Sequence, residues 1–437
     1  IPEIDLLARH TVSKAKAIYD LKDEAIQRLK DEEQFDLYQN LELPVTYILA
    51  DMEYVGAKID IHVLKEMEMD FEQQIKQIEE DIYMLADKEF NISSPKQLGE
   101  VLFERLGLPN GKKTKTGYST SQDILEKIEG LHPIIPLIQK YRMLTKLSST
   151  YVKGLQEQVF ADGKIHTIYN QALTQTGRLS SIEPNLQNIP VRQEEGKLIR
   201  KAFIPSHDYL VTFDYSQIEL RLLALLSCDE TMIQAFLNHE DVHAITASKV
   251  FHVPLNEVTK EQRRISKAIN FGIVYGMSPW GLSEQIGVDL ATAKTFIETF
   301  FETYPKVKEY LDQNVSFCKD NGYVTTLLKR RRMVPEIHAQ VYQVREFGKR
   351  VAMNTPIQGS AADIIKLAMI AVDQYIQSRK EEVFLTCQIH DELLLEVKDE
   401  VAEEVAKEIQ KIMENILQQK MPLEVHYSIG KNWLEAK

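Results

Sequence analysis

Three acidic residues lie where the sequence pattern predicts that strands end. Asp214 closes the β-branched and aromatic run YLVTFD, and Asp391 with Glu392 lies at the centre of VFLTCQIHDELLLEV (383–397), a pattern typical of a hairpin. Carboxylates at strand ends of one sheet can converge on a pair of Mg²⁺ ions, which clamp the attacking and leaving oxygens of a phosphoryl transfer. The alternative is that each residue only forms a turn. The long chain between Asp214 and Asp391 leaves open whether their strands are neighbours.

A second candidate site is the segment RRISKAINFGIVYG (263–276). Its two cationic and two aromatic side chains are spaced by four, so on a helix they share one face: Arg263, Lys267, Phe271 and Tyr275. Cations followed by aromatics suit a triphosphate at one end and a base with its sugar at the other. The alternative is a solvated basic turn that runs into a stripe of core aromatics.

Basic and amide side chains are concentrated locally in three further places. The run KRRR (329–332) and the loop containing Lys112, Lys113 and Lys115 could follow a phosphate backbone, although each alone is more often a solvated surface. The segment 176–190 is rich in Arg, Asn and Gln, which can reach the minor-groove acceptors that all base pairs share. Its alternative is a loop whose amides bind its own backbone.

Along the chain, the predicted elements that position these residues are helices in the N-terminal part and the strands of a small sheet further on. Residues 62–87 carry an amphipathic helical pattern, and Ser94 with Pro95 predicts the start of the next helix. The predicted strands lie at 209–214 and 383–397, separated by mostly helical sequence. This order predicts an α+β fold rather than a wound parallel sheet.

Composition bounds the protein class. The chain has 437 residues, which predicts about three domains, and 44% of them are hydrophobic, as in a folded globular protein. There is no apolar run of eighteen residues and no signal-peptide pattern, so we expect no membrane segment. The first residue is Ile1, which leads us to expect a fragment of a longer protein. Three widely separated cysteines, Cys228, Cys318 and Cys387, favour a reducing, cytoplasmic location and no zinc site.

The net charge of −13 argues, taken alone, against a nucleic-acid-binding protein. Neutralising phosphates requires Lys and Arg, and the chain has 52 of these against 65 acidic residues. The local basic clusters outweigh this argument, because binding depends on the charge of one surface rather than of the whole chain.

Six segments in order resemble those of the family-A DNA polymerases, and of their bacterial polymerase I branch in particular. Two look like the family's palm motifs and one like its fingers helix: DYSQIELR (214–221), QIHDELLLEV (388–397) and RRISKAINFGIVYG (263–276). Three more match as well: TGRLSSIEPNLQNIP (176–190), NTPIQGSAADIIK (354–366) and NWLEAK (432–437). The resemblance extends from about residue 40 to the end of the chain.

The resemblance implies a right-hand fold with thumb, palm and fingers. It divides the chain into a remnant of the 3′–5′ exonuclease-like domain at 1–45, the thumb at 46–150, the palm at 151–228 and 372–437, and the fingers at 229–371. The acidic residues of 1–45 do not reproduce the spacing of a proofreading site, so we expect no proofreading by this chain.

The resemblance also implies a role for individual residues. Asp214, Asp391 and the backbone carbonyl of Tyr215 would hold two Mg²⁺ ions, with Mn²⁺ as a substitute, and Glu392 would be an auxiliary catalytic carboxylate. The nucleotide-binding set would be Arg263 and the catalytic Lys267 on the triphosphate with His243 and Gln217, Phe271 on the nucleotide, Tyr275 at the templating position and Glu219 under the sugar. The DNA-binding set would be Arg178, Asn354, Gln358 and His390 at the primer–template end, with Lys112, Lys113 and Lys115 on duplex phosphates.

The implied function is template-directed DNA synthesis in replication and repair. Its partners would be primer–template DNA and deoxynucleoside triphosphates, and the chain would be a monomer in the bacterial cytoplasm, at the nucleoid. A phage-type replicative polymerase and a non-catalytic primer–template binder are the alternatives. Both metal aspartates are present, which disfavours the binder, and Glu219 disfavours an RNA polymerase.

Overall fold

The computed structural model describes residues 4–109, 111, 113–114, 117–190, 193–417 and 421–437. Its N-terminal part is helical. It contains α1 (Ile4–Asp31), α2 (Phe35–Leu37), α3 (Leu43–Val55), β1 (Ala57–Lys58), α4 (Ile61–Ala86), α5 (Pro95–Gly99), β2 (Lys113–Thr114), β3 (Gly117–Tyr118), α6 (Gln122–Lys127), α7 (Ile134–Lys146) and α8 (Gly154–Glu157).

Local capping explains where two of these helices begin. The side chain of Asp60 accepts a hydrogen bond of 2.9 Å from the backbone N–H of His62 and starts α4, which confirms the predicted helix at 62–87. Ser94 caps α5 through the N–H of Gln97, with Pro95 at the first helical position as predicted. Beyond Gly99 the helix continues in wider π turns to Arg105.

The middle of the chain begins with short strands and continues in helices. It comprises β4 (Lys164–Ile165), β5 (Ile168–Asn170), β6 (Ser180–Ile182), α9 (Glu194–Leu198), β7 (Tyr209–Tyr215), α10 (Ile218–Ser227), α11 (Glu230–Leu237), α12 (Val242–Phe251), α13 (Lys260–Val274), α14 (Pro279–Ile286), α15 (Leu290–Thr303) and α16 (Pro305–Asn321).

The C-terminal part returns to the sheet. It comprises β8 (Tyr323–Thr325), β9 (Arg331–Met333), the long helix α17 (Tyr342–Ile376), β10 (Val383–Ile389), β11 (Glu392–Val397), α18 (Ala402–Glu414) and β12 (Val425–Gly430). Within the described residues, no helix combines the length and apolar character needed to cross a membrane.

One antiparallel sheet of four strands lies at the centre, in the order β10–β11–β7–β12. The two predicted strand regions are therefore neighbours, and the register places Asp214 opposite Glu392 on one side and His426 on the other. Helices together with an antiparallel sheet confirm the predicted α+β class.

The sheet separates two hydrophobic cores because successive side chains of a strand point to opposite faces. On β7, Val211 and Phe213 belong to a core shared with α10, α13 and α17, whereas Leu210 belongs to a core shared with α4 and α7. Both faces are covered, which explains why β11 is buried along its whole length and lacks polar alternation.

A buried ion network joins three distant parts of the chain. Lys366 on α17 is fully buried, and its Nζ lies 2.8 and 3.0 Å from the carboxylate oxygens of Glu42. Arg330 pairs with the same carboxylate and with Asp363, 2.7 Å from its Nε. Burial opposes the charge on Glu42, but the two cations outweigh it and hold the pKa of that carboxyl below its usual value.

Removing one member of this network should be costly. We expect Lys366→Met to destabilise the protein by about 3–5 kcal/mol, because it leaves a buried carboxylate short of a partner. The measurement is the midpoint of urea unfolding. Lys308→Met is the matched control, since Lys308 forms an exposed pair with Asp312 that contributes less than about 1 kcal/mol. Equal midpoints for the two variants would contradict a stabilising network.

Candidate active site

The ends of β7 and the β10–β11 hairpin bring two aspartates to one edge of the sheet. Asp214 lies on β7, and Asp391 lies in the two-residue turn between β10 and β11. His390 adopts a positive φ of 55° in that turn. The backbone N–H of Tyr215 donates to the carbonyl of Asp391 over 3.3 Å, which fixes the turn against β7. The structure therefore places Asp214 and Asp391 at the same end of neighbouring strands, a point that the sequence left open.

The carboxylates at this edge of the sheet repel one another, which favours binding of a cation. The side chain of Asp214 is exposed, yet the surrounding protein removes enough water to raise its pKa to about 6. Lys437 opposes the rise, while the neighbouring charges of Glu392 and Asp391 add to it. A divalent cation would relieve this repulsion.

The donor set fits Mg²⁺ bound mainly through its substrate. Among the described residues, no group of three or more His, Cys, Asp or Glu side chains is arranged to hold a metal ion. Mg²⁺ usually keeps several waters and takes one or two carboxylates together with substrate phosphates. Asp214, Asp391 and the carbonyl of Tyr215 are therefore a suitable partial set of oxygen ligands.

Glu392 is held by partners that the sequence pattern did not predict. Its carboxylate accepts a hydrogen bond of 2.9 Å from the indole N–H of Trp433 and forms an ion pair with the amine of Lys437. The side chain of Glu392 is almost fully buried. Arg200 stacks on the Trp433 ring at 4.1 Å. Both oxygens of Glu392 thus have protein partners, and its role as an auxiliary catalytic carboxylate stays a prediction.

Helix α13 presents the predicted stripe of cations and aromatics. A capping box between Thr259 and Gln262 starts the helix. Arg263 and Lys267 are exposed, and Phe271, 5.9 Å from the amine of Lys267, is only half-buried. Tyr275 follows the last helical residue and is 43% exposed. The alternative of core aromatics is therefore wrong for this face.

Helix α12 packs against α13, and two side chains at its N-terminal end contact residues of α13. Asp241 caps α12 through the N–H groups of His243 and Ala244 and also pairs with Arg263 of α13. His243 is buried, with its ring 5.9 Å from that of Phe271. The sequence analysis missed Asp241. The available signal was an acidic residue immediately before a helical pattern, which is typical of an N-cap.

Most of the predicted catalytic and nucleotide-binding residues line one cavity of about 450 Å³ between the sheet edge and α13. Asp214 lies beside the cavity rather than in its wall. The residues that line it are Arg178, Tyr215, Gln217, Ile218, Glu219, His243, Arg263, Lys267, Phe271, Tyr275, His390 and Asp391. Cations on α13 thus face carboxylates across a space that can hold a phosphorylated ligand.

Glu219 and Arg178 are paired in the wall of this cavity. The carboxylate of Glu219 is 2.9 Å from the guanidinium of Arg178, which lies 3.7 Å from Asp391. Burial raises the pKa of Glu219, and Arg178 opposes that rise, with smaller opposing effects from Tyr275 and Gln358. Within the described part of the chain, three buried polar atoms of this wall lack a hydrogen-bond partner: Arg178 Nε, Gln217 Oε1 and Glu219 Oε2. Such atoms are available for hydrogen bonds to water or to a polar ligand in the cavity.

The predicted DNA-binding residues are placed in two regions. Arg178, Gln358 and His390 line a neighbouring cavity of about 230 Å³, and the amide of Asn354 donates to the carbonyl of Val274 at the end of α13, over 3.2 Å. Lys113 is exposed on β2, 5.1 Å from the Tyr118 ring. The predictions for Lys112 and Lys115 fall on residues outside those that the structure describes.

The basic run 329–332 is mostly used within the protein. Arg330 is part of the buried ion network, Arg331 donates to the carbonyl of Glu32 over 3.0 Å, and Arg332 donates to Thr355 and Gln175, each over 2.9 Å. The expectation that this run follows a phosphate backbone is therefore weakened, because tertiary contacts already engage all three guanidinium groups, although the buried Nε atoms of Arg331 and Arg332 have no partner among the described residues.

Comparison with known proteins places the chain in a family. The family model described as DNA polymerase family A matches residues 61–435. DNA polymerase I of Bacillus subtilis is 48% identical over the whole chain, and that of Geobacillus stearothermophilus is 49% identical. The chain spans about half the length of these curated relatives, 50% in each case.

A solved structure supports the same fold. The polymerase domain of M. smegmatis Pol1, determined in complex with DNA primer-template and dNTP, superposes with a TM-score of 0.91 at 43% identity. The match covers 97% of this chain and 75% of the other. The right-hand fold implied by the sequence resemblance is thus confirmed, and the chain belongs to DNA polymerase family A.

Proposed function

We propose that this chain adds deoxynucleotides to the 3′-hydroxyl of a primer, directed by a DNA template. The observation that carries the proposal is one cavity whose wall contains Asp391 on the sheet side, with Asp214 beside it, and Arg263, Lys267 and Phe271 on the α13 side. That arrangement provides oxygen ligands for metal ions on one side and anion and ring contacts on the other. The relative from M. smegmatis was solved with primer-template and dNTP, which supports the same partners here.

The reaction is attack of the primer hydroxyl on the α-phosphate of a deoxynucleoside triphosphate, with release of pyrophosphate. Asp214, Asp391 and the Tyr215 carbonyl would hold two Mg²⁺ ions, which would supply activation of the hydroxyl and neutralisation of the developing charge. Lys267 and Arg263 donate charge-assisted hydrogen bonds to the phosphate chain. Arg263 exchanges its pairing with Asp241 for the substrate phosphates, and Phe271 packs on the nucleotide.

The neighbouring cavity around Arg178, Gln358 and His390 would receive the primer–template end. Arginine and amide donors there can reach the minor-groove acceptors that all base pairs share, which tests the geometry of a pair rather than its sequence. Tyr275, at the end of α13, would occupy the templating position. Lys113 would meet duplex phosphates.

The bacterial form of the enzyme is favoured over the phage-type alternative, because the relatives named above are bacterial polymerases I and match the whole chain. A non-catalytic binder is disfavoured by the converged aspartates. We further propose that the chain acts as a monomer in the cytoplasm at the nucleoid, with thumb, palm and fingers at the boundaries given above and no proofreading activity of its own.

The metal assignment can be tested by removing one charge at a time. Asp214→Asn and Asp391→Asn should each reduce primer extension by about 1,000-fold or more, since metal ligation contributes several kcal/mol to stabilising the transition state. Primer–template affinity, measured by fluorescence anisotropy, should persist. Asp312→Asn, at an exposed helix position, is the control and should be unaffected. Near-normal extension by either active-site variant would show that its aspartate is not a ligand.

Glu219 should exclude ribonucleotides by filling the volume that a 2′-hydroxyl would occupy. We expect Glu219→Ala to increase ribonucleotide incorporation about 10-fold relative to deoxynucleotide, which corresponds to the loss of a clash of about 1.4 kcal/mol. Single-nucleotide extension assays with each sugar measure the ratio.

Glu219→Gln is the matched control, because it keeps the volume and the acceptor for Arg178 while removing the charge. It should discriminate as the parent does. If Glu219→Ala also discriminates like the parent, Glu219 is only the structural partner of Arg178 and the gate lies elsewhere.

A further inference from the structure

A buried histidine and a buried asparagine meet behind the wall of the active-site cavity. His243 of α12 is 2% exposed and Asn270 of α13 is fully buried. The amide nitrogen of Asn270 lies 2.8 Å from Nδ1 of His243. In this orientation the amide N–H of Asn270 donates, which matches a neutral ring with its unprotonated nitrogen at Nδ1 and its proton on Nε2.

The surroundings of His243 keep the ring neutral. Burial lowers the pKa of His243 to about 4, the charge of Asp241 at the N-terminus of α12 opposes this, and the cations Arg263 and Lys267 on α13 add to it. At neutral pH the ring therefore carries one proton, and the choice that remains open is which nitrogen holds it. The contact with Asn270 makes that choice.

We propose that Asn270 is a positioning residue that fixes the tautomer of His243, so that its Nε2–H is a permanent donor to an anionic oxygen of the nucleotide's phosphate chain. This inference rests on the proposed function for the identity of the ligand, although not for the tautomer itself. His243 lines the cavity beside Arg263 and Lys267, where phosphates would lie. The opposite tautomer would present a lone pair to the phosphate anion and repel it.

The position of Asn270 in the sequence suits this role. It lies between Lys267 and Phe271 on α13 but on the face turned towards α12, so the same helix that presents the cations also sets the proton of the histidine. Its own Oδ1 has no hydrogen-bond partner within the described residues. Among the described residues, the contact with His243 is thus the side-chain hydrogen bond that this amide forms.

The tautomer can be measured in the free protein without nucleotide. ¹⁵N chemical shifts of histidine ring nitrogens distinguish a protonated from an unprotonated nitrogen, and comparison with His243→Gln assigns the signals. We expect Nδ1 to be unprotonated and Nε2 protonated from pH 8 down to about pH 5, above the pKa of about 4. A protonated Nδ1 in the parent chain would overturn the inference, whether or not the chain extends primers.

A second test uses variants on α13. Asn270→Leu removes the donor with little change of volume, and it should shift the ring-nitrogen signals and raise the KM for deoxynucleotide about 10-fold, as expected for one hydrogen bond to a charged group, with a smaller effect on kcat. Ser266→Ala is the matched control, because Ser266 is buried on the same helix and its hydroxyl has no partner among the described residues. It should change neither quantity.

The glutamine variant of His243 separates positioning from structure. A glutamine amide donates without a tautomer to choose, so Asn270→Leu should have little further effect on KM in a His243→Gln background. A 10-fold increase in both backgrounds would show that Asn270 only supports the fold, and the inference would fail. If the parent extends no primer while its ring signals are as expected, the proposed function fails and the tautomer assignment stands.

Discussion

The antiparallel pairing of β7 with β11 is the contact on which the site depends. Its register sets Asp214 opposite Glu392 and brings the turn with Asp391 against Tyr215. This concentrates negative charge that the protein neutralises only in part. Glu392 has its own partners in Trp433 and Lys437, whereas burial raises the pKa of Asp214 to about 6, with Glu392 and Asp391 adding to the rise and Lys437 opposing it. A divalent cation would neutralise the negative charge that the protein leaves uncompensated.

The second half of the site depends on how α12 and α13 are joined. Among the described side chains, polar contacts join Asp241 to Arg263 and His243 to Asn270 across the two helices. Under the proposed function, each contact would hold a phosphate-binding side chain in place before the nucleotide arrives, which would lower the cost of ordering it on binding. The two contacts differ. Under the proposed function, Arg263 would exchange Asp241 for a phosphate, while the buried contact between His243 and Asn270 would stay unchanged.

Much of this could be predicted from sequence because local rules govern it. The spacing of four between Arg263, Lys267 and Phe271 determines that they share a helix face, and the predicted strand 209–214 differs from the observed β7 by the one additional residue Tyr215. Ser94 with Pro95 marked a helix start correctly. The family resemblance then supplied the roles, and the family itself is confirmed by the comparisons.

Other features were decided only by tertiary structure, because they join residues far apart in the chain. Sequence alone could not show that Asp214 and Asp391 are neighbours, that Arg330 is used in a buried network with Glu42, or that Lys437 pairs with Glu392. Charge patterns indicate what a side chain can bind, but they do not show which charged group lies next to it in the folded protein. The sequence by itself determined the chemistry available on each element, and the packing of the sheet against the helices determined which of those groups stay free for a substrate.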